Sequence, residues 1–193
     1  MAGEQRPGAA AMPMTPNNGH AGGRRAGRGL CKGTMLPFRF QTEAGTEPVV
    51  TVDGAFGAPG LQLSHWPGNS SPTALAHELS TGIALAFARL SEEERARHLE
   101  GCVAVVNNHY DTDGACALFA LQRPDEALPR AERLLDVAAT GDFFHLPSEA
   151  AFQIDVTLNA LADPARSPIA FTLVWKPRAP ARRAASTLAV ARL

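Results

Sequence analysis

The feature that most constrains this chain is an apolar strand that leads into a polar segment and then into a helix. The strand is the continuous apolar run Cys102–Val106, bounded by Gly101 and Asn107. A run without alternation is typical of a central strand in a parallel sheet, which is covered on both faces. Helical patterns precede and follow it. This alternation of strands and helices predicts the α/β class, with a mainly parallel sheet flanked by helices.

Hydrophobic periodicity and capping residues predict the other elements. Val49–Val52 is a β-branched run that ends at the turn signal Asp53-Gly54, which predicts a strand. A helix is predicted from Pro72 to Leu90, with Ser71 as its N-cap, because apolar residues recur there at steps of four and three. Further helices are predicted from Ser91 to Gly101, over 115–121, over about 125–140 and from Ser148 to Leu161, and a final strand over Ile169–Trp175.

Composition divides the chain into a domain and two tails. Residues 1–34 contain eight glycines and three prolines, and residues 176–193 are dominated by Ala, Arg and Pro without a period. Because neither segment carries enough apolar surface to bury, we expect both to be disordered. The domain is therefore predicted to span residues 35–175.

The domain is acidic. The whole chain has a formal net charge of −1, but residues 36–175 carry 8 basic and 18 acidic groups, a balance of −10. An acidic surface argues against a nucleic-acid partner, whose phosphates need basic residues, and it favours a site for cations. No apolar run approaches the ~18 residues of a membrane-spanning helix, so we expect no membrane partner. Nothing in the sequence specifies an oligomeric state.

Cysteine usage indicates a reducing compartment. Cys31, Cys102 and Cys116 do not have the spacing of metal ligands, and the last two lie in apolar stretches. We expect Cys102 and Cys116 to be small buried hydrophobic residues and the protein to be cytoplasmic.

The segment that carries chemistry is Asn107–Gly114, just past the carboxyl end of the predicted central strand, where open α/β sheets bind their ligands. His109, Asp111 and Asp113 recur at every second residue, so an extended backbone would place the three side chains on one side. Imidazole and carboxylate groups together suit a divalent ion such as Mn²⁺ or Mg²⁺. The alternative is a polar turn in which Asp113 caps the following helix and Asp111 binds the loop backbone.

The pattern His109-x-Asp111-x-Asp113-Gly114, within Val105–Leu121, resembles the first metal-binding motif of the DHH phosphoesterase superfamily. That group includes RecJ-type exonucleases, inorganic pyrophosphatases and nano-RNA hydrolases. The resemblance implies two metal ions held by His and Asp, with His109, Asp111 and Asp113 as catalytic metal ligands and Asp142 as a further ligand. It also implies hydrolysis of a phosphoester or phosphoanhydride, in a small phosphorylated substrate, by a hydroxide that bridges the ions.

A broader resemblance, from about Leu36 to Ala170, is to an uncharacterised bacterial protein family. It rests on four short stretches: Ser64–Asn69, which reads SHWPGN, then Leu79-Ser80-Thr81, the Asp111/Asp113 pair and Gly141-Asp142-Phe143.

The sequence departs from the DHH pattern in two ways. No Asp-His-His triplet occurs in it, and we expect no second, substrate-binding domain after the first. These departures favour an alternative, a non-catalytic binding domain or pseudo-enzyme. A minor alternative is a haloacid-dehalogenase-type phosphatase, which also has Asp-x-Asp-Gly after a strand. In that class the strand runs directly into the first Asp, whereas residues 107–110 intervene here.

The loop over residues 64–71 is a second candidate site. With hydroxyl groups and the amides of a following helix, it would bind an anion, and His65, Asn69 and Ser71 are its predicted substrate-binding residues. The alternative is a proline-glycine turn anchored by a buried Trp66, with Asn69 and Ser71 as caps. If the loop belongs to the metal site, His65 should lie on the order of 10 Å from Asp111.

Overall fold

A computed structural model describes residues 36–163, 165 and 167 of the chain. The two predicted tails, residues 1–34 and 176–193, lie outside the described residues, as does the predicted strand Ile169–Trp175. The described part has the predicted α/β class: a four-stranded, fully parallel sheet flanked by helices.

The strands are β1 (Phe38–Phe40), β2 (Val49–Val52), β3 (Gly60–Leu63) and β4 (Val105–Asn107), in the order β1-β4-β2-β3. In the register of the sheet, Val105 of β4 lies opposite Phe38 on one side and Val50 on the other. β2 has the predicted bounds. β4 starts at Val105 rather than Cys102 and continues through Asn107. All four strands are parallel, so their carboxyl ends meet at one edge of the sheet.

The helices are α1 (Ser80–Arg89), α2 (Glu92–His98), α3 (Thr112–Gln122), α4 (Pro124–Ala127), α5 (Ala131–Phe143) and α6 (Glu149–Ala162). Two predicted caps are confirmed. Ser91 and Glu94 form a reciprocal capping box at α2, and the Ser148 hydroxyl accepts the Ala151 amide at the start of α6. Of the described helices, none is both long and apolar enough to cross a membrane.

Two predicted helices are divided in the structure. The predicted helix from Pro72 is wrong in its first half, where a 3-10 turn at Thr73–Leu75 is followed by extended backbone at Ala76. Ser71 is not an N-cap, because its hydroxyl is bound to the backbone of Ser64. The predicted helix over about 125–140 is split into α4 and α5 by a 3-10 turn at Leu128–Arg130, which contains a proline.

The core forms by alternation across the sheet. On one face, Val50, Val52, Leu63 and Val105 pack in a single cluster with buried side chains of α1 and α3, including Phe87. On the other face is a smaller cluster made of Val49, Ala58, Ala104 and Val106. α1, α3 and α5 pack side by side, and α6 packs on α5. Cys102 and Cys116 are buried and free of disulfides, as predicted. The helix layer therefore brings the first turns of α1 and α3 to the carboxyl edge of the sheet.

Candidate metal centre

Acidic and imidazole side chains from three strands converge at the carboxyl edge of the sheet. Asp53 follows β2 directly and His65 follows β3. The segment after β4 supplies His109, Asp111 and Asp113. Two groups of three side chains there could hold a metal ion: Asp53, His109 and Asp111 in one, and Asp53, His65 and Asp113 in the other. Within each group the ligand atoms all lie within 4.8 Å of one another. We call the first group the outer triad and the second group the inner triad; the two triads share Asp53.

The outer triad is partly open to solvent. His109 Nε2 lies 2.9 Å from Asp111 Oδ2 and 3.2 Å from Asp53 Oδ2. The His109 and Asp111 side chains are 32% and 33% exposed. Asp111 is also the N-cap of α3, since its Oδ1 accepts the Gly114 amide at 2.8 Å. The prediction of an extended backbone through the whole motif is wrong, because Asp111 is the last extended residue and Asp113 already lies in α3.

Asp53 and Asp113 of the inner triad are buried and His65 is partly buried, and Asp113 is bound to a different helix from the one that contains it. Its Oδ2 accepts the Ser80 amide at 2.7 Å, and its Oδ1 accepts the Thr81 amide at 2.8 Å. The carboxylate is 0% exposed and lies at the positive end of the α1 dipole. The polar-turn alternative assigned the caps wrongly: Asp111 caps α3, and Asp113 binds the N-terminus of α1.

His65 presents an unpartnered nitrogen to the inner triad. Its Nδ1 lies 2.8 Å from the carbonyl oxygen of Glu78, which can only accept, so Nδ1 donates and the lone pair of the neutral ring lies on Nε2. Nε2 is buried without a hydrogen-bond partner. It lies 3.4 Å from Asp142 Oδ2, 3.5 Å from Asp53 Oδ1 and 3.9 Å from Asp113 Oδ2. A lone pair surrounded by carboxylates suits a cation between them.

Asp53 carries a second buried atom without a hydrogen bond. Its Oδ1 accepts the Ser80 hydroxyl at 2.7 Å and the Trp66 indole N–H at 3.2 Å, whereas its buried Oδ2 forms no hydrogen bond and has His109 Nε2 at 3.2 Å as an ion-pair neighbour. A Cβ at Gly114 would lie 2.9 Å from this Oδ2 and 3.1 Å from Asp111 Oδ1, so glycine keeps the space beside both carboxylates open. Buried polar atoms are normally paired, and the unpartnered oxygen and nitrogen together fit a bound metal ion.

The electrostatics of the cluster also favour a cation. Burial raises the pKa of Asp53 to about 6 and that of Asp142 to about 7, and it raises the pKa of Asp113 as well. The hydrogen bond to Asp111, followed by the interaction with Asp53, raises the pKa of His109 to about 10. For Asp111, burial alone would raise the pKa, but the interaction with His109 lowers it below its ordinary value. The cluster therefore holds protons that a divalent ion would displace.

α6 braces the loop that carries the outer triad. The Thr112 hydroxyl donates to Asp155 at 2.5 Å, and the side-chain amide of Asn159 donates to both Thr112 and Asp155. Two residues before Thr112, the Tyr110 hydroxyl donates to the carbonyl oxygen of Leu158 at 2.9 Å. The residues on either side of Asp111 are thus fixed to the same helix.

The predicted residues of the 64–71 loop have different outcomes. His65 belongs to the inner triad, and it and Asp111 both lie beside Asp53. The Asn69 side chain instead binds the Trp66 carbonyl and the Ser71 amide, and the Ser71 hydroxyl binds Ser64, so both residues shape the loop. The expectation of a buried Trp66 is wrong, because its side chain is 43% exposed.

Asp53 is the central residue that the sequence pattern did not reveal. Asp53-Gly54 has the composition of a turn, and the only local signal for a ligand is that Asp53 directly follows a buried strand. Its backbone adopts φ 54°, a left-handed conformation that is uncommon outside glycine. Strained backbone at such a position is a feature of functional sites.

Fold and site together define an α/β domain with a carboxylate–imidazole cluster at the carboxyl edge of a parallel sheet. The chain belongs to the Family of unknown function (DUF6687), whose model matches residues 32–178. This match agrees with the predicted membership of an uncharacterised family. The search of curated proteins and the search of solved structures each found no match.

Proposed function

We propose that the protein is a metal-dependent hydrolase of phosphoesters or phosphoanhydrides, with two cation positions that share Asp53. The observation that carries the proposal is the two interlocking ligand triads, in which the buried atoms Asp53 Oδ2 and His65 Nε2 form no hydrogen bond. Oxygen and imidazole donors suit Mn²⁺ or Mg²⁺.

Each residue has a role in this arrangement. His65 and His109 would bind through Nε2, Asp111 and Asp113 through carboxylate oxygens, and Asp53 through both of its oxygens as a bridge. Asp142, 3.4 Å from His65, is placed to add a ligand on the side of the inner triad. When bound, divalent ions supply positive charge opposite the phosphoryl oxygens and lower the pKa of a bound water.

The DHH resemblance supports the same function from a different direction. Of the motif His109-x-Asp111-x-Asp113-Gly114, His109 and Asp111 lie between β4 and α3, and Asp113 and Gly114 lie in the first turn of α3. Open α/β sheets bind ligands at this edge. The absent Asp-His-His triplet leaves ligands to be supplied elsewhere. Here Asp53 and His65, after β2 and β3, provide a carboxylate and an imidazole at the same edge.

A non-catalytic metal-binding domain is the second candidate function. It is favoured by Asp113, whose two oxygens are both engaged with α1 amides and therefore have a structural role in addition to any ligand role. The haloacid-dehalogenase alternative has less support. It needs Asp111 as a free nucleophile, whereas both Asp111 oxygens are hydrogen-bonded, to Gly114 and to His109.

A metal-dependent activity screen tests the proposal. Wild-type protein is assayed with Mn²⁺ and with Mg²⁺ on pyrophosphate, short oligonucleotides, cyclic dinucleotides and bis-p-nitrophenyl phosphate. The matched control is Asp111→Asn, which keeps a good N-cap for α3 but removes a ligand charge. We expect hydrolysis that needs the ion and is lost in the variant. Ion binding without hydrolysis of any substrate would support the binding-domain alternative, and absence of ion binding would overturn both.

A further inference from the structure

Trp66 stands beside the metal centre with its indole open to solvent. The ring centroid lies 5.7 Å from that of His65 and 5.6 Å from that of His109, with interplanar angles of 75° and 81°. Both imidazoles therefore meet the indole in an edge arrangement. Because the two histidines belong to different triads, Trp66 borders the inner and the outer cation position at once.

The indole is held in place before any ligand arrives. Its N–H donates to Asp53 Oδ1 at 3.2 Å, its backbone N–H donates to the Ser64 hydroxyl, and its carbonyl oxygen accepts both the backbone and the side-chain N–H of Asn69. Trp66 is nevertheless 43% exposed. An aromatic ring that is exposed and already fixed loses little conformational entropy when a ligand packs on it.

The neighbouring polar side chains are committed to the loop itself. Asn69 uses its amide nitrogen on Trp66 and its amide oxygen on Ser71, and the Ser71 hydroxyl both donates to and accepts from the Ser64 backbone. Sugar hydroxyls are recognised by directed hydrogen bonds, and much of the hydrogen-bonding capacity of Asn69 and Ser71 is used within the loop. What the loop offers is an apolar face, and stacking on such a face accepts any planar ring.

We propose that Trp66 is the stacking platform for a planar ring carried by the phosphorylated substrate. The substrate class is then an aryl phosphate or a small nucleotide, rather than an inorganic or sugar phosphate. This inference rests on the proposed hydrolase function, because the phosphoryl group would sit at the two triads while the ring packs on the adjacent indole. A ligand of one or a few nucleotides also agrees with the acidic balance of the domain, which disfavours long polyanions.

Two matched ligand pairs test the platform by calorimetry on Mn²⁺-loaded protein. Phenylphosphonate and methylphosphonate carry the same non-hydrolysable headgroup, and AMP and ribose 5-phosphate differ only in the base. We expect the ring-bearing member of each pair to bind about tenfold more tightly, the usual scale of aromatic stacking. Trp66→Phe and Trp66→Leu both lose the N–H bond to Asp53, but only the leucine variant loses the ring. The preference should persist in Trp66→Phe and vanish in Trp66→Leu, with Mn²⁺ affinity alike in the two.

The outcomes separate this inference from the proposed function. Absence of Mn²⁺ binding by the wild type overturns both. Mn²⁺ binding without a ring preference, a preference that survives in Trp66→Leu, or tighter binding of phosphocholine than of AMP overturns the stacking platform alone. If Trp66→Leu fails to fold, Trp66 fluorescence in a Trp175→Phe background replaces it: AMP should quench the emission and ribose 5-phosphate should not, and equal responses would refute the inference.

Discussion

The two triads of the candidate metal centre share a carboxylate but are built differently. In the outer triad, His109 and Asp111 are about one-third exposed and bind mainly each other. In the inner triad, Asp113 is fully buried and holds two backbone amides of α1, and His65 is fixed through the Glu78 carbonyl. The two aspartates therefore differ in what they hold together: Asp111 accepts an amide of its own helix, whereas Asp113 links α3 to α1. The inner triad is thus tied to the N-terminus of α1, whereas the outer triad is held by its own helix and by the contacts of its loop with α6.

The largest expected effect comes from breaking both triads at once. Asp53→Asn removes the shared charge, so Mn²⁺ affinity should fall at least about 100-fold at both positions. Asp111→Asn removes a ligand charge from the outer triad alone. Calorimetric stoichiometry should therefore be two ions for the wild type, one for Asp111→Asn and none for Asp53→Asn. Two ions still bound by Asp53→Asn would show that Asp53 is not shared.

The second prediction distinguishes the two triads by what each contributes to the stability of the metal-free protein. Asp113→Asn turns an acceptor into an N–H donor that faces a backbone amide, so the free energy of unfolding should fall by about 2–4 kcal/mol. Asp111→Asn keeps the acceptor for the Gly114 amide and loses only the one-third exposed contact with His109 Nε2, so its loss should be smaller, about 1–2 kcal/mol. Urea denaturation in EDTA measures both. Equal losses would contradict the structural role assigned to Asp113.

The third prediction concerns pH. Burial raises the pKa of Asp53 to about 6 and of Asp142 to about 7, above the values of about 3.9 in an unfolded chain. The metal-free folded state therefore binds more protons between about pH 4 and 7, and its free energy of unfolding should fall as pH rises through that window. The pKa of His109 is raised to about 10. Its contribution to the free energy of unfolding is therefore complete below about pH 6.5, the ordinary pKa of histidine, and is lost as pH rises towards 10.

Mn²⁺ should reverse this dependence, because bound ions displace protons and bind more tightly as pH rises. Urea midpoints at pH 5, 7 and 8, with EDTA and with Mn²⁺, give the comparison. Asp142→Asn is the control, since it should make the urea midpoint of the metal-free protein depend less on pH, mainly up to pH 7. A metal-free midpoint that climbs from pH 5 to pH 8 would refute the assigned directions.

The smallest expected effect comes from removing the Ser80 hydroxyl, which contacts two residues of the inner triad. Ser80 Oγ donates to Asp53 Oδ1 at 2.7 Å and accepts the His65 amide at 3.0 Å. Ser80→Ala should lower Mn²⁺ affinity about tenfold, the low end for a residue that orients ligands. Ser91→Ala, which removes the cap of α2, should cost about 1 kcal/mol of stability and leave Mn²⁺ affinity unchanged. Parallel losses of affinity in both variants would indicate a general effect of destabilisation.

The sequence by itself determined the features that depend on near neighbours. Local pattern and composition predict the caps at Ser91 and Ser148 and the α/β class. They also reveal the apolar run before Asn107 and the His109–Asp113 motif. Each is set by interactions within a few residues, such as a side chain that accepts an amide three positions later, and such interactions are visible in a linear string.

Only the tertiary structure decided the rest of the metal centre. β2 lies next to β4 although more than 50 residues separate them, and this pairing is what brings Asp53 to the outer triad. The amides that bind Asp113 belong to α1, 32 and 33 residues earlier in the chain. An aspartate after a strand has the same local sequence whether it ends a turn or joins a ligand set. Its role depends on which strands and helices pack beside it, and that packing is a property of the whole core.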